Sequence, residues 1–270
     1  MPVTPSNGAV MRFLPIATVR LRARAIAAAF SERALSNSCS ENAGLLRKPW
    51  PGGVVRYPVD RRASLKDVIE ALGPPHTEVH GLVADGREVD FSTLLEPGME
   101  VSVSPARFPI DVTQDTVLRP QPLPRLAFAA DANVGKLATL LRLLGWDTTF
   151  ARDIDDASLA ELACAQSRVV LSRDRNCLKR SKIVHGRLVR ANDPLEQIRE
   201  ILVAYGIKEQ SRPFSRCLRC NEPLVAVDKA KVWDRLEPRT KRYYDSFWRC
   251  PACQRIYWAG SHHDGMLRLL

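Results

Sequence analysis

The sequence predicts an α/β protein: a parallel-sheet domain preceded by a small β-grasp module and followed by a four-cysteine ribbon. Three observations predict it. Between about residues 125 and 210 apolar strands alternate with amphipathic helices, the pattern of a parallel sheet covered on both faces. Between about 16 and 106 short strands surround a single helix, with an Asp85-Gly86 turn between two of them. From 214 onward two Cys-x-x-Cys pairs bracket an aromatic and basic stretch. The 270 residues, 45% of them hydrophobic, are enough for two or three domains with cores of their own.

In the first segment, Val19-Arg20-Leu21-Arg22-Ala23-Arg24 alternates apolar and basic side chains, which predicts a half-buried strand over 17–24. The first forty residues, rich in Arg, Ala and Ser and with Glu32 as their first acid, also have the composition of a transit peptide. The alternation favours the strand. Residues 1–15 are expected to be disordered, with Met11 an alternative start, and a cytoplasmic location is expected. Val54–Pro58 is a second candidate strand. Ser64 with Asp67 three residues later reads as a capped helix start, Val68, Ile69 and Leu72 as its apolar face, and Gly73-Pro74-Pro75 as its stop. Strands over Val79–Ala84, Glu88–Phe91 and Val101–Ser104 complete the module. Pro105, Pro109, Pro120, Pro122 and Pro124 then give residues 107–124 the composition of a stiff, extended linker.

In the second segment, Leu126–Ala130 ends at Asp131, and Leu137, Leu140, Leu141 and Leu144 form one face of a helix closed by Gly145. Strands follow at Trp146–Ala151, Arg168–Ser172 and Arg187–Arg190. Helices follow Asp156 and Asp193-Pro194. Each strand thus leads to an acid: Asp131, then Asp153, Asp155 and Asp156, then Asp174, then Asp193. In a parallel sheet these positions converge on one edge, where ligands bind. Clustered carboxylates repel, and a hard divalent cation such as Mg²⁺ or Mn²⁺ relieves the repulsion. Asp193 before Pro194 is explained as a helix cap, Asp156 serves as cap and ligand together, and Asp153 and Asp155 are solvated loop acids. Asp131 and Asp174, each ending an apolar strand, are the acids that capping explains least. Lys136, Arg142, Arg173 and Arg175 stand beside them, with Lys179, Arg180 and Lys182 following, and suit phosphate contacts. Cys164 is expected in the core; Cys177 has no neighbouring base to activate it.

Cys217, Cys220, Cys250 and Cys253 form two pairs separated by 29 residues, the pattern of a closed four-thiolate zinc site. His262 and His263 are surface residues or phosphate contacts on this reading. Most of the ribbon's rings should form its small core, leaving Tyr243 or Tyr244 to meet a base. The net charge of +10 is uneven. Residues 1–106 carry 12 Lys and Arg against 11 Asp and Glu, residues 107–213 carry 17 against 13, and residues 214–270 carry 11 against 6. A basic surface over the last two-thirds suits a polyanion such as RNA. No run of about 18 apolar residues is available to span a membrane.

Leu72-Gly73-Pro74-Pro75-His76-Thr77-Glu78-Val79, Val89-Asp90-Phe91 and Glu96–Val103 resemble the ubiquitin-like domain that accompanies Mut7-C ribonuclease domains, itself similar to sulfur-carrier β-grasp proteins. The carriers end in a free Gly-Gly, whereas here the last strand runs on into Pro105, so a binding or scaffolding module with a protein partner is implied instead. Phe128–Asp131, Gly135–Ala138, Leu141–Thr148 and Val170–Arg175 resemble the Mut7-C ribonuclease family. That resemblance implies a reduced PIN-like nuclease fold and a C-terminal zinc ribbon. Asp131, Asp156 and Asp174 match the family's acidic positions, and Asn176 stands where PIN-like relatives can carry a further acid. A metal-dependent ribonuclease acting on single-stranded RNA is the implied function; an RNA-binding adaptor with a weak or inactive centre is the alternative.

Overall fold

A computed structural model of the chain describes residues 8–13, 45–47 and 54–260. The strand expected over 17–24 and the pair His262 and His263 lie outside the described residues. The chain divides into two compact units, Met1–Arg107 with Gln114–Pro122, and Phe108–Thr113 with Leu123–Leu270. The stretch 107–124 is therefore not the extended linker its prolines suggest. Leu118 is buried in the first unit's core, and Arg119 donates to the carbonyls of Thr77 and Val79 at 2.9 and 3.0 Å. Phe108, Ile110 and Val112 pack on the second unit's core. Apolar side chains between the prolines found surfaces to cover.

The first unit contains β1 (Gly8–Phe13), β2 (Val54–Pro58), α1 (Leu65–Leu72), β3 (Val79–Ala84), β4 (Arg87–Glu88) and β5 (Glu100–Pro105). β1 lies within the stretch expected to be disordered, because Met11 is fully buried between β2 and β5. The sheet order is β2-β1-β5-β3-β4, with β1 and β5 parallel and the other pairs antiparallel, which is a β-grasp arrangement. Ser64 and Asp67 form the expected reciprocal capping box. Asp85 and Gly86 both have positive φ, the condition for a two-residue turn that matches strand twist. Leu65, Val68 and Ile69 of α1 bury against Leu82, Val101 and Val103, the inward residues of alternating strands.

The second unit begins with β6 (Phe128–Ala130), α2 (Gly135–Leu143), β7 (Thr148–Phe150), α3 (Asp156–Ala165), β8 (Val169–Ser172), α4 (Arg175–Leu178), β9 (Gly186–Leu188) and α5 (Pro194–Tyr205). Its four strands are all parallel, in the order β7-β6-β8-β9. Phe128, Ala130, Val169 and Leu171 face α2 and α5 in one core cluster. Ala129 and Val170 alternate to the other face, where α3 meets β6 and β8. From β6 the chain turns to one side of the sheet, and from β8 to the other. The crevice between their carboxyl ends is thus a topological switch point, the usual ligand position in such sheets.

A three-stranded antiparallel ribbon follows, made of β10 (Val225–Val227), β11 (Phe247–Arg249) and β12 (Ile256–Tyr257). Between β10 and β11 the chain makes two short helices, α6 (Lys229–Val232) and α7 (Pro238–Tyr243). Val232, Leu236 and Phe247 form the core, with Val227, Tyr244, Ile256 and Trp258 packed against it. Among the described residues no helix is long and apolar enough to cross a membrane.

Candidate functional site

The switch-point crevice is built from the ends of β6 and β8. Asp131 follows β6 and is only 6% exposed. Its Oδ2 accepts hydrogen bonds from the Ser172 hydroxyl at 2.5 Å and from Asn133 Nδ2 at 2.6 Å. Ser172, fully buried at the end of β8, accepts in turn from the Asp174 backbone N–H at 2.9 Å. The Arg173 N–H donates to Asn133 Oδ1 at 3.1 Å. The two strand ends are thereby tied through Asp131, and among the described residues both hydrogen bonds to its carboxylate fall on Oδ2, leaving Oδ1 open. Ser172 and Asn133 were not singled out from sequence. A buried strand serine and a loop asparagine carry no distinguishing pattern until the two strands lie side by side.

Asp156 is the first residue of α3 and half-buried. Ligand atoms of Asp131, Asp156 and Cys177 lie within 4.8 Å of one another, a group able to hold a metal ion. Asp155, not Asp156, is the N-cap: its Oδ1 accepts from the N–H groups of Ala157 and Ser158 at 2.8 and 2.9 Å. That correction frees the Asp156 carboxylate, whose nearest cation is Arg180 Nε at 3.8 Å from Oδ2. Burial pushes the Cys177 thiol up to about 12, and the negative charges of Asp156, Asp131 and Asp174 push the same way. The thiol stays protonated at neutral pH, as a field of unneutralised carboxylates requires.

Asp174 stands outside this group of three. It is exposed and caps α4, accepting from the Asn176 N–H at 2.7 Å. A capping role was the one the sequence made least expected here, because α4 is a single turn with no apolar periodicity to announce it. Asp193 caps α5 ahead of Pro194, accepting from Leu195 and Glu196. Of the cations, Lys136 is exposed on the first turn of α2, Arg173 is exposed and bonded to the Asn192 side chain, and Arg175 is half-buried. Lys182 pairs with Glu161 at 2.9 Å. Cys164 is exposed rather than in the core.

Arg142 departs from its expected phosphate-binding role. It is 4% exposed, and its guanidinium donates to the carbonyls of Thr148, Leu218 and Arg219 at 2.8, 3.1 and 2.8 Å. With its donors committed to backbone carbonyls inside the fold, it has no free face for a phosphate. It ties α2 and β7 to the first cysteine pair instead.

The two cysteine pairs are near-copies. In each, the first cysteine N–H donates to the carbonyl five residues on, Glu222 or Arg255, at 2.8 and 2.9 Å. The residue after the second cysteine, Asn221 or Gln254, has φ of 68° or 60° and donates its N–H back to the first cysteine's carbonyl. Each loop turns its two sulfurs to one point. The four sulfurs form a second group able to hold a metal, with separations of 3.3 Å for Cys220–Cys250, 3.4 Å for Cys217–Cys220 and 3.5 Å for Cys217–Cys253. A tetrahedral ion bound at about 2.3 Å sets thiolates roughly 3.8 Å apart, so the donor set fits. Burial works against the thiolate at Cys217, but the Tyr257 hydroxyl, 3.1 Å away, and backbone N–H groups outweigh it and hold the thiol at about 6.

At the opposite edge of the parallel sheet, Asp147 precedes β7 and is buried. It accepts from Arg168 Nη1 at 2.6 Å, Asn221 Nδ2 at 2.7 Å and Arg125 Nη2 at 2.8 Å, and Arg216 lies 3.6 Å away. Asn221 Oδ1 accepts from the Thr148 N–H at 3.0 Å, occupying a donor of edge strand β7. Gly145 (φ 88°) lies beside this seam, where a Cβ would meet the Arg212 carbonyl oxygen at 2.4 Å.

The model of the Mut7-C RNAse domain matches residues 126–270, and that of the Mut7-C ubiquitin domain matches residues 41–111. No curated protein and no solved structure matches the chain. The first match spans more than half of the chain and contains both ligand groups, the parallel sheet and the ribbon, and the second covers the described strands of the β-grasp except β1. The chain belongs to the Mut7-C RNAse domain family.

Proposed function

We propose that the protein is a divalent-metal-dependent ribonuclease that cuts single-stranded RNA. The observation that carries this reading is the convergence of Asp131 and Asp156 at the switch point with no cation closer than Arg180 among the described residues. Two carboxylates drawn together repel, the one guanidinium at 3.8 Å offsets that only in part, and a bound cation supplies the rest. Asp131 and Asp156 hold the ion, with Oδ1 of Asp131 presented by the clamp on Oδ2. Bound Mg²⁺ or Mn²⁺ supplies a lowered pKa for water and polarises a phosphodiester oxygen. Lys136, Arg173 and Arg175 at the rim contact the phosphate chain, and Asp174 adds negative charge from the end of β8. The ribbon is held by one structural Zn²⁺ on Cys217, Cys220, Cys250 and Cys253. The β-grasp unit is a docking module for another protein.

The test is cleavage of labelled single-stranded RNA by the wild type and Asp131→Asn, with and without Mn²⁺ or Mg²⁺. Metal-dependent cleavage that falls on the order of 10³-fold in the variant is expected, since the ion's charge stabilisation amounts to several kcal/mol. Cleavage that ignores the metal or survives the substitution rejects the reading. A second reading, an RNA-binding adaptor with a weak centre, is favoured by one observation: the third ligand atom is the Cys177 sulfur, a soft atom ill suited to Mg²⁺. Binding without cleavage in every metal would select it.

A further inference from the structure

The excursion between β10 and β11 spends its aromatic side chains differently from the rest of the ribbon. Tyr244 and Trp258 pack on the small core, and Tyr257 hydrogen-bonds the first cysteine pair. Trp233 and Tyr243 do neither. Trp233 is 46% exposed and Tyr243 65% exposed, although Val232 and Leu236 beside Trp233 are buried. Of the two rings expected to meet a base, Tyr243 is exposed and Tyr244 packs on the core, and Trp233 is exposed as well although most of the ribbon's rings were expected inside.

Both rings carry cations. Lys229 and Lys241 place their ammonium groups 5.8 and 5.1 Å from the centre of the Trp233 ring, and the Arg242 guanidinium lies 5.5 Å from that of Tyr243. Cation–aromatic pairs occur about once per 70–80 residues, so three within residues 229–243 mark a local concentration and not background. The same fifteen residues hold six Lys and Arg (229, 231, 235, 239, 241 and 242) against Asp234 and Glu237, with Lys231 paired to Asp228 and Lys229 to Asp245 just outside them. The platform is anchored from below: Val232, Leu236 and Thr240 are buried, and Arg235 donates to the Gln254 carbonyl of the second cysteine pair at 2.7 Å.

We propose that Trp233 and Tyr243 form a stacking platform for the unpaired bases of single-stranded RNA, with Lys241 and Arg242 meeting the flanking phosphates while Lys229 stays paired with Asp245. The chemistry selects a strand with exposed bases. An aromatic face recognises the face of any base, and a duplex keeps those faces stacked inside. Charge complementarity selects a polyanion over an apolar protein surface. The identity of the strand as RNA rests on the ribonuclease reading above; the platform itself does not.

The experiment measures binding of a fluorescent twelve-nucleotide RNA, single-stranded or annealed to its complement, to the zinc-loaded full chain without added Mg²⁺ or Mn²⁺. The proteins compared are the wild type, Trp233→Ala, Trp233→Phe and Tyr243→Ala, each checked for zinc content and melting temperature. Trp233→Ala is expected to weaken single-strand binding about ten-fold, Trp233→Phe to recover most of it, and duplex binding to change little. Unchanged affinity in Trp233→Ala, or an equal loss on duplex, overturns the platform. Platform-dependent binding in a protein that cleaves nothing leaves this inference standing and removes the nuclease. Metal-dependent cleavage with Trp233-independent binding does the reverse.

Discussion

The parallel sheet has acids at both of its edges, and the two edges treat them differently. At the amino-terminal edge Asp147 is met by Arg168, Arg125, Arg216 and Asn221. At the carboxyl-terminal edge Asp131 and Asp156 are met by each other, by a protonated thiol, and by one guanidinium at 3.8 Å. Both Asp131 and Asp147 are nearly inaccessible to solvent. Burial therefore does not separate a structural acid from a candidate ligand; the source of the compensating charge does. Where the chain supplies its own cations the acid is cement, here between the sheet and the first cysteine pair. Where the chain supplies mainly hydrogen-bond donors that fix the carboxylate's orientation, and one guanidinium at 3.8 Å, it leaves much of the charge to something that binds.

The largest expected break between the two edges is Asp147→Ala. It leaves the half-buried Arg168 without its carboxylate and removes the acceptor of Asn221 Nδ2, so unfolding in urea should show a loss of about 3 kcal/mol, while cleavage per folded molecule stays near wild type. Next in size is Ser172→Ala. Losing the hydroxyl that orients Asp131 should lower cleavage about 10–100-fold, the range typical of groups that position a metal ligand. A wild-type rate in this variant would mean the clamp on Oδ2 has no part in the chemistry.

Acid should act mainly through the amino-terminal edge. Burial would raise the Asp147 pKa, but the Arg168 and Asn221 hydrogen bonds and the charges of Arg168 and Arg216 outweigh it and hold the carboxyl below its ordinary 3.8. A depressed folded value means the stabilisation is complete above the unfolded pKa and is lost as pH falls through the folded one. Melting temperature followed downward from pH 6 should therefore drop below about pH 4 more steeply for wild type than for Asp147→Asn. Parallel curves would show that this network contributes no acid sensitivity. The smallest effect concerns Asp131→Asn. The substitution expected to lower cleavage most should shift stability by less than about 1 kcal/mol, since it removes one of two repelling charges and keeps the hydrogen-bonding shape.

Much of this was legible in the residue order. The strand-to-acid pattern located the ligand edge because parallel strands separated by helices must all end on the same side. Cys217, Cys220, Cys250 and Cys253 were legible because Cys-x-x-Cys encodes its own loop, as the matching backbone bonds of Asn221 and Gln254 show. The helix with Ser64 and Asp67, and the Asp85-Gly86 turn, were local for the same reason.

What the order of residues did not decide depends on partners far away in sequence. Arg142 reads as a surface cation on an amphipathic helix, yet its acceptors are carbonyls about 75 residues downstream, at Leu218 and Arg219. Asp147 reads as one more acid, and its role was set by Arg168, Arg216 and Asn221. The prolines of 107–124 hid apolar side chains whose cores lie elsewhere in the chain. The clamp of Ser172 on Asp131 required β6 and β8 to be adjacent. Periodicity and short-range hydrogen bonding made most elements of the parallel sheet, the two cysteine loops and the end at which the acids gather readable from residue order, but not β1 or α4. Three-dimensional packing decided which acids are fully paired and which are only weakly compensated, and which cations are consumed inside the fold, because charge pairing acts through space.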